Sequence, residues 1–203
     1  MKTLLENWQR YINEQSHIMG NYEGQPTQQK DKLISFFDDL KNMNKANANQ
    51  IASVLLGTKP LYLGSINMIP NNRFSQKFLD YLRSRNMMFA SSPSIIGTGS
   101  DIFFIGNKDK VAQALELQKN PYIGIEKMGF PSEFKNWAKE NAKHEIGATP
   151  EYHKRMGILL GYGEANSEKF SQGYISKWKE AYSHWQQQVQ YTNSSNGSKT
   201  EVL

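Results

Sequence analysis

The sequence predicts an α+β fold, with a small mixed or antiparallel sheet of three to four strands packed with helices. Two observations indicate this class. Apolar residues recur at helical spacing near both ends of the chain, whereas residues 61–106 hold short apolar runs broken by glycine and polar turns. Of the 203 residues, 38% are hydrophobic, which is enough for a chain of this length to bury its own core.

Three parts are predicted along the chain. Residues 1–45 form an N-terminal helical arm of two apolar stripes, because the run KNMNKANANQ (residues 41–50) that follows holds one large apolar residue and several turn-prone asparagines. Residues 46–190 form the α+β domain, whose second half is almost entirely helical. Residues 191–203 lack apolar periodicity, so we expect a disordered tail.

The domain begins with an alternation of helices and strands. A short helix over residues 51–56 is expected to stop at Gly57, and residues 61–69 are typical of a buried strand. The next helix is expected to start from an N-cap at Asn71 or Asn72, because asparagine side chains accept hydrogen bonds from the first amides of a helix.

Two further strands are predicted on either side of the turn at residues 97–100. The glycines of that turn match only half of a dinucleotide-binding fingerprint, so we expect a plain turn. Asn107 is expected to cap the following helix, and residues 122–128 form a weaker strand. Thr149 and Pro150 are then typical of a helix start, with threonine as the cap and proline in the first turn.

The formal charge of +5 is concentrated in residues 51–100, which hold five basic side chains and one aspartate. Clustered cations raise the local potential and attract polyanions, so this segment is a candidate site for nucleic acid or a phosphate ligand. A solvated helix is the alternative, because the cations do not all project from one helical face. The candidate residues are Lys59, Arg73, Lys77, Arg83 and Arg85.

Acid–base or metal chemistry has one candidate set of residues. His144, Glu145 and His153 fall within ten residues, and imidazole and carboxylate groups act in both kinds of site. The nine-residue spacing of the histidines does not place them on one helical face, so we expect surface or capping roles, no metal and no cofactor. The chain has no cysteine, which excludes thiol catalysis and a disulfide framework.

A protein partner is the third class of candidate. Aromatic side chains on the first and last helical stripes either pack in a core or bind another protein. These residues are Trp8 and Tyr11, and Trp178, Tyr182 and Trp185. No apolar run is long enough to span a bilayer, and the first residues lack the apolar stretch of a signal peptide. We therefore expect a cytoplasmic protein without a membrane partner.

The most constrained turn is predicted at Gly161, Tyr162 and Gly163. A helix that closes with two leucines and then a glycine typically ends in a left-handed residue, and the tyrosine can pack back on the turn.

Residues 144–170, HEIGATPEYHKRMGILLGYGEANSEKF, resemble the closing part of an uncharacterised domain family of anaerobic bacteria. In that family a His-Glu-Ile-Gly element leads into Phe-Leu-Gly-Tyr-Pro and then an acidic helix. Here eleven residues separate His144–Gly147 from Leu159–Tyr162, and Gly163 replaces the proline. Similar Leu-Gly-Tyr-Pro segments recur in bacterial and phage proteins, so the resemblance implies such an origin. It implies no reaction and carries over no functional residue.

The leading hypothesis is a small binding or accessory protein without a recognisable catalytic site. Binding of nucleic acid or a phosphate ligand through residues 59–85 is the first alternative. An enzyme that uses His144, Glu145 and His153 is the second.

Overall fold

A computed structural model describes residues 27–94, 101–141 and 147–197, and it confirms the α+β class. These residues form eight α-helices, three short 3₁₀ helices and one sheet. The helices are α1 (Thr27–Phe36), α2 (Asp38–Lys41), α3 (Lys45–Leu55), α4 (Gln76–Ser84), α5 (Lys108–Lys119), α6 (Ser132–Asn141), α7 (Pro150–Leu159) and α8 (Glu164–Gly197). The strands are β1 (Leu61–Ser65), β2 (Met87–Ser92) and β3 (Ile102–Asn107).

The chain divides into two compact units. The first runs to Lys119 and includes Leu159–Gly161, and the second consists of Asn120–Ile158 and the residues from Tyr162 onward. The arm boundary predicted near residue 45 stays a prediction, because residues 1–26 lie outside the described part of the chain. At the other end, α8 extends to Gly197 and so enters the segment predicted as a tail.

The sheet of the first unit has the order β1-β3-β2 and is antiparallel throughout. Because β1 and β2 both run opposite to β3, they are parallel to each other, and α4 connects them. This arrangement is a split β-α-β unit. Phe104 in the central strand pairs with Leu63 on one side and with Ala90 on the other, which fixes the register.

The core of the first unit is an aromatic cluster that joins one face of the sheet to the helices. Phe103 of β3 is fully buried, and its ring lies 5.6 Å from that of Phe74, which in turn stacks on Phe78 at 4.7 Å. Phe37 is 1% exposed and contacts the Phe78 ring at 5.1 Å, so the chain between α1 and α2 packs into this same cluster.

Several predicted helix ends are confirmed by backbone angles or hydrogen bonds. Gly57 has a φ of +74° just after α3. Asn107 Oδ1 accepts the backbone N–H of Asp109 at 2.9 Å as α5 begins. Thr149 Oγ1 accepts the N–H of Tyr152 at 3.3 Å at the start of α7. These local signals act within four residues of chain, which is why the sequence alone predicts them.

The cap predicted for α4 is wrong. Asn71 and Asn72 adopt left-handed φ angles of 57° and 56° within a 3₁₀ turn, and the helix begins later, at Gln76. Ser75 is the cap, and its Oγ accepts the N–H of Phe78 at 3.3 Å. The carboxylate of Asp39 accepts both the N–H and the Oγ–H of Ser75, at 2.7 and 2.6 Å, so a distant side chain selects the serine.

The strand predicted at residues 122–128 is also wrong. Residues Ile125–Met128 form a 3₁₀ helix instead. Gly124 and Gly129 flank it with φ angles of +79° and +72°, in the left-handed region that interrupts an extended strand. The sheet accordingly has three strands among the described residues.

The second unit is organised around Trp178 of α8, which is fully buried. Its Nε1–H donates to the carbonyl of Ala148 at 3.2 Å. The ring of Phe134, also fully buried, meets Trp178 edge-on at 6.3 Å and brings α6 against α8. Burial of two large aromatic side chains stabilises this packing by several kcal/mol, about 1.5–3 for each.

Candidate functional site

The basic residues of segment 59–85 lie in the first unit, and most of them interact with their own chain. Lys59 Nζ donates to Gln50 Oε1 at 2.8 Å, and burial lowers the pKa of the Lys59 ammonium to about 8. Lys77 Nζ donates to the carbonyl of Phe36 at 3.1 Å and lies 3.9 Å from the centre of the Phe36 ring. Both lysines therefore act in packing α3 and α4 against neighbouring residues.

The three arginines of the segment differ in whether their side chains contact other groups of the chain. Arg83 pairs with Asp80 at 2.7 Å, and the guanidinium of Arg85 lies 5.3 Å from the centre of the Tyr81 ring. The guanidinium of Arg73 is exposed and contacts no other described side chain by an ion pair, hydrogen bond or ring contact. Four of the five basic side chains of the segment thus contact other residues of the chain.

His153, the candidate for acid–base or metal chemistry that is expected from the sequence to take a surface or capping role, is instead a core residue. His153 is 1% exposed, and its ring stacks on that of Tyr174 with 3.5 Å between centroids. The rings of Tyr152 and Phe170 meet it edge-on at 5.4 and 5.9 Å. Neither ring nitrogen has a hydrogen-bond partner among the described residues.

Burial in this aromatic cage lowers the pKa of His153 to about 3. The positive charge of Lys177 also lowers it, and the nearby Ala148 carbonyl opposes the shift without the geometry of a hydrogen bond. His153 is therefore neutral and enclosed at neutral pH. His144 and Glu145 lie outside the described residues. Within the described ranges, no three histidine, aspartate or glutamate side chains are grouped as a metal site.

The turn that follows α7 contains two left-handed glycines. Gly161 and Gly163 have φ angles of +85° and +75°, and the N–H of Tyr162 between them donates to the carbonyl of Gly157 at 3.1 Å. A Cβ added at Gly161 would lie 2.6 Å from Cδ of Pro60, whereas one at Gly163 would meet nothing within 4 Å. Gly161 is thus restricted by conformation and by space, and Gly163 by conformation alone.

The aromatic residues that were candidates for core packing or partner binding lie in different positions. Trp8 and Tyr11 lie outside the described residues. Trp178 belongs to the core of the second unit, where it has no exposed surface to offer. Tyr182 and Trp185 are half-buried and stack on each other at 5.8 Å beside the ring of Phe134.

The site that the sequence analysis missed is a groove of about 390 Å³ in the second unit. Three segments form it: the 3₁₀ helix at residues 125–128 with its flanks, the first turns of α7, and one face of α8. Its lining comprises Gly124, Lys127, Met128, Phe130, Thr149, Pro150, Glu151, Lys154, Glu168, Ser171, Ile175 and Lys179. We call it the lysine-rimmed groove.

Thr149 holds two of these segments together. Its N–H donates to the carbonyl of Pro121 at 2.9 Å, and its Oγ1–H donates to the carbonyl of Ile123 at 2.6 Å. Because the same oxygen caps α7, the start of that helix is fixed against residues 121–125. On α8 the lining residues Glu168, Ser171, Ile175 and Lys179 follow at intervals of three and four, which places them on one helical face.

The charged residues of the groove fall into two groups. Both of its carboxylates are paired, because Glu168 accepts from Lys154 at 2.6 Å and Glu151 accepts from Arg155 at 2.6 Å. The hydrogen bond to Glu168 raises the pKa of Lys154 and lowers that of Glu168 itself. Lys127 and Lys179 are exposed, and the ammonium group of neither forms an ion pair or hydrogen bond with a described residue.

The carboxylate of Glu126, which precedes Lys127 in the chain, is also paired with lysines. Glu126 contacts Lys135 at 3.1 Å and Lys139 at 3.7 Å, and the pKa of its carboxyl is lowered chiefly by the hydrogen bond to Lys135. The groove therefore combines an apolar floor of Met128, Phe130 and Ile175 with two cations that lack a counterion among the described residues. No sequence signal marks it, since its residues are spread over 56 positions from Gly124 to Lys179.

Comparison of the chain with protein-family models, with curated proteins and with solved structures finds no match. Among the described helices, none has both the length and the apolar character needed to cross a membrane.

Proposed function

We propose that this protein is a binding module without a catalytic site, and that its ligand occupies the lysine-rimmed groove. The proposed ligand is an anion with an apolar portion, such as a carboxylate on a hydrocarbon or aromatic body. The observation that carries the proposal is the pair of lysines, Lys127 and Lys179, left without a counterion beside an apolar floor.

The size of the groove supports a small ligand. Its volume of about 390 Å³ falls within the usual range of small-molecule sites, roughly 300–1,000 Å³. Such sites are mostly apolar with a few polar groups that orient the ligand, which matches Met128, Phe130 and Ile175 flanked by charges. The start of α7 adds a weak preference for negative charge, because the helix dipole is positive there.

The paired carboxylates support an anion over a cation. Glu151 and Glu168 each already hold a basic partner, so a cationic ligand would have to displace Arg155 or Lys154. An anionic ligand would find Lys127 and Lys179 free of such competition within the described chain. We therefore expect charge to set the preference and the apolar floor to supply most of the affinity.

The test uses three probes that share one apolar tail: octanoate, octanol and octylammonium. Each is titrated into the isotopically labelled protein, and the amide resonances are followed by NMR. We expect octanoate to bind most tightly and to shift resonances of Phe130 and Ile175, followed by octanol and then octylammonium. Equal or tighter binding of octylammonium, or shifts confined to residues outside the groove, would overturn the proposal.

Two variants separate charge from apolar contact. Lys179→Gln should weaken octanoate up to about fivefold, the upper range for one exposed ion pair, and leave octanol unchanged. Ile175→Ala should weaken both ligands. Lys169→Gln is the matched control, since Lys169 is an exposed lysine of α8 that does not line the groove. An equal loss in Lys169→Gln and Lys179→Gln would reduce the effect to net charge and contradict the assignment.

A further inference from the structure

The outer edge of β2, in the first unit, is a second surface of interest, because its outward-facing backbone N–H and C=O groups have no hydrogen-bond partner among the described residues. Among the described strands, the order places β2 at the edge of the sheet, where it pairs with β3 on one side. All of Met87–Ser92 are in continuous register with β3, without a bulge. Alternate residues of such a strand direct their N–H and C=O groups outward. No described residue makes a backbone hydrogen bond to them.

β2 also lacks the features that usually protect an edge strand. A lysine, a proline or a bulge commonly prevents a second strand from adding to such an edge. The sequence of β2 is MMFASS, which has no charge and no proline, and Pro93 follows only after the strand ends. Within the described part of the chain, the outer backbone of β2 is therefore open to pairing with another extended segment.

We propose that β2 pairs antiparallel with β2 of a second copy of this chain, so that the two three-stranded sheets join about a two-fold axis. This interface is separate from the lysine-rimmed groove and does not depend on the function proposed for it. An axis through Ala90 places Met88 opposite Ser92 of the second copy, and Phe89 opposite its Ser91. Residues directly opposite each other point to the same face, as pairing across a two-fold axis requires.

The occupant is inferred from the self-complementary sequence of the strand. The first half of β2 carries large side chains and the second half carries small ones, so antiparallel pairing sets a large residue against a small one. The same arrangement holds the two copies of Arg85 at opposite ends of the joined strands. Parallel pairing would instead bring like charges together. A contact of one strand edge is small, so we expect weak association in the micromolar to millimolar range.

Covalent capture tests the axis directly. The chain has no cysteine, so Ala90→Cys introduces its sole thiol. Residues facing each other across an antiparallel pair have Cα atoms about 4.5–5.5 Å apart, within the range that a disulfide bridges. We expect Ala90→Cys to form a covalent dimer on mild oxidation, at a concentration where Ser176→Cys, an exposed position on α8, remains monomeric. Equal yields for the two variants would overturn the proposal.

Opposite charges introduced at Ser91 test the pairing without a covalent bond. Ser91 is exposed, and its symmetry mate lies diagonally across the axis, roughly 7–8 Å away. Ser91→Lys and Ser91→Glu should each weaken self-association about fivefold by sedimentation velocity, and an equimolar mixture should restore it. Ser176→Lys is the control for added charge. A parent chain that stays monomeric at millimolar concentration would refute the proposal, including the case in which β2 pairs with a strand of a different protein.

Discussion

The turn at Gly161 allows a sharp test of the packing, because two separate restrictions apply to one residue. Its φ of +85° lies in the left-handed region, where an alanine costs about 1–2 kcal/mol. In addition, the new Cβ would lie 2.6 Å from Cδ of Pro60, well inside ordinary contact, and the proline ring has little freedom to move. Overpacking of this kind adds about 1–3 kcal/mol, so we expect Gly161→Ala to destabilise the protein by about 2–5 kcal/mol.

Two other glycines isolate the conformational part of this cost. Gly57, also in the first unit, has a φ of +74°, and Gly163 has a φ of +75°, yet a Cβ at either position would meet nothing within 4 Å. Gly57→Ala and Gly163→Ala should therefore cost only about 1–2 kcal/mol each. Guanidinium unfolding followed by circular dichroism measures all three variants. A Gly161→Ala loss within about 0.5 kcal/mol of Gly57→Ala would show that the approach to Pro60 carries no cost.

Three further predictions concern His153, Gly173 and the basic segment. The folded-state pKa of His153, about 3, lies below its unfolded value near 6.5, so the unfolded chain takes up a proton first on acidification. The contribution of neutral His153 to the free energy of unfolding should be fully present above pH 6.5 and lower by about 2 kcal/mol at pH 5, as measured by urea melts. His153→Leu should remove this pH dependence, whereas the control His184→Gln, at an exposed histidine, should keep it. Gly173 lies in the middle of α8, is exposed to solvent and has open space around it. Gly173→Ala should therefore stabilise the protein by up to about 1 kcal/mol and raise its Tm. A lower Tm would contradict the open surroundings. Retention on heparin should be weak and lost at moderate salt, because most cations of segment 59–85 contact other groups of their own chain. Strong retention that is abolished by the double variant Arg73→Ala and Lys77→Ala would instead support the polyanion site.

The elements that the sequence predicts correctly depend on local chemistry. Asn107 and Thr149 cap helices through amides two or three residues away, and Gly57 follows the last turn of α3. The stripe of Phe78 and Leu82 indicates the buried face of α4 because both residues lie one turn apart on that face. In each case the deciding interaction is contained within a short window of sequence.

The elements that it misses depend on residues far apart in the chain. Asn72 and Ser75 are both good caps, and the choice between them is made by Asp39, which lies 36 residues before Ser75. The segment around Ile125 has the apolar content of a strand, but its flanking glycines take left-handed angles and close a 3₁₀ turn. Composition measures how many residues of a type are present, not which partner each one meets in the fold.

The same reasoning explains why the strongest candidates in the sequence and in the structure differ. Histidine and clustered arginine attract attention because of their chemistry, yet His153 is enclosed by aromatic rings and Arg83 is held by Asp80. Lys127 and Lys179 are not distinctive as residue types. In the fold, however, the carboxylates of the groove form ion pairs with other cations, and these two lysines remain beside an apolar floor. Availability for a ligand is therefore a property of the pairing pattern, and it becomes visible only once each charge has been matched with its nearest partner.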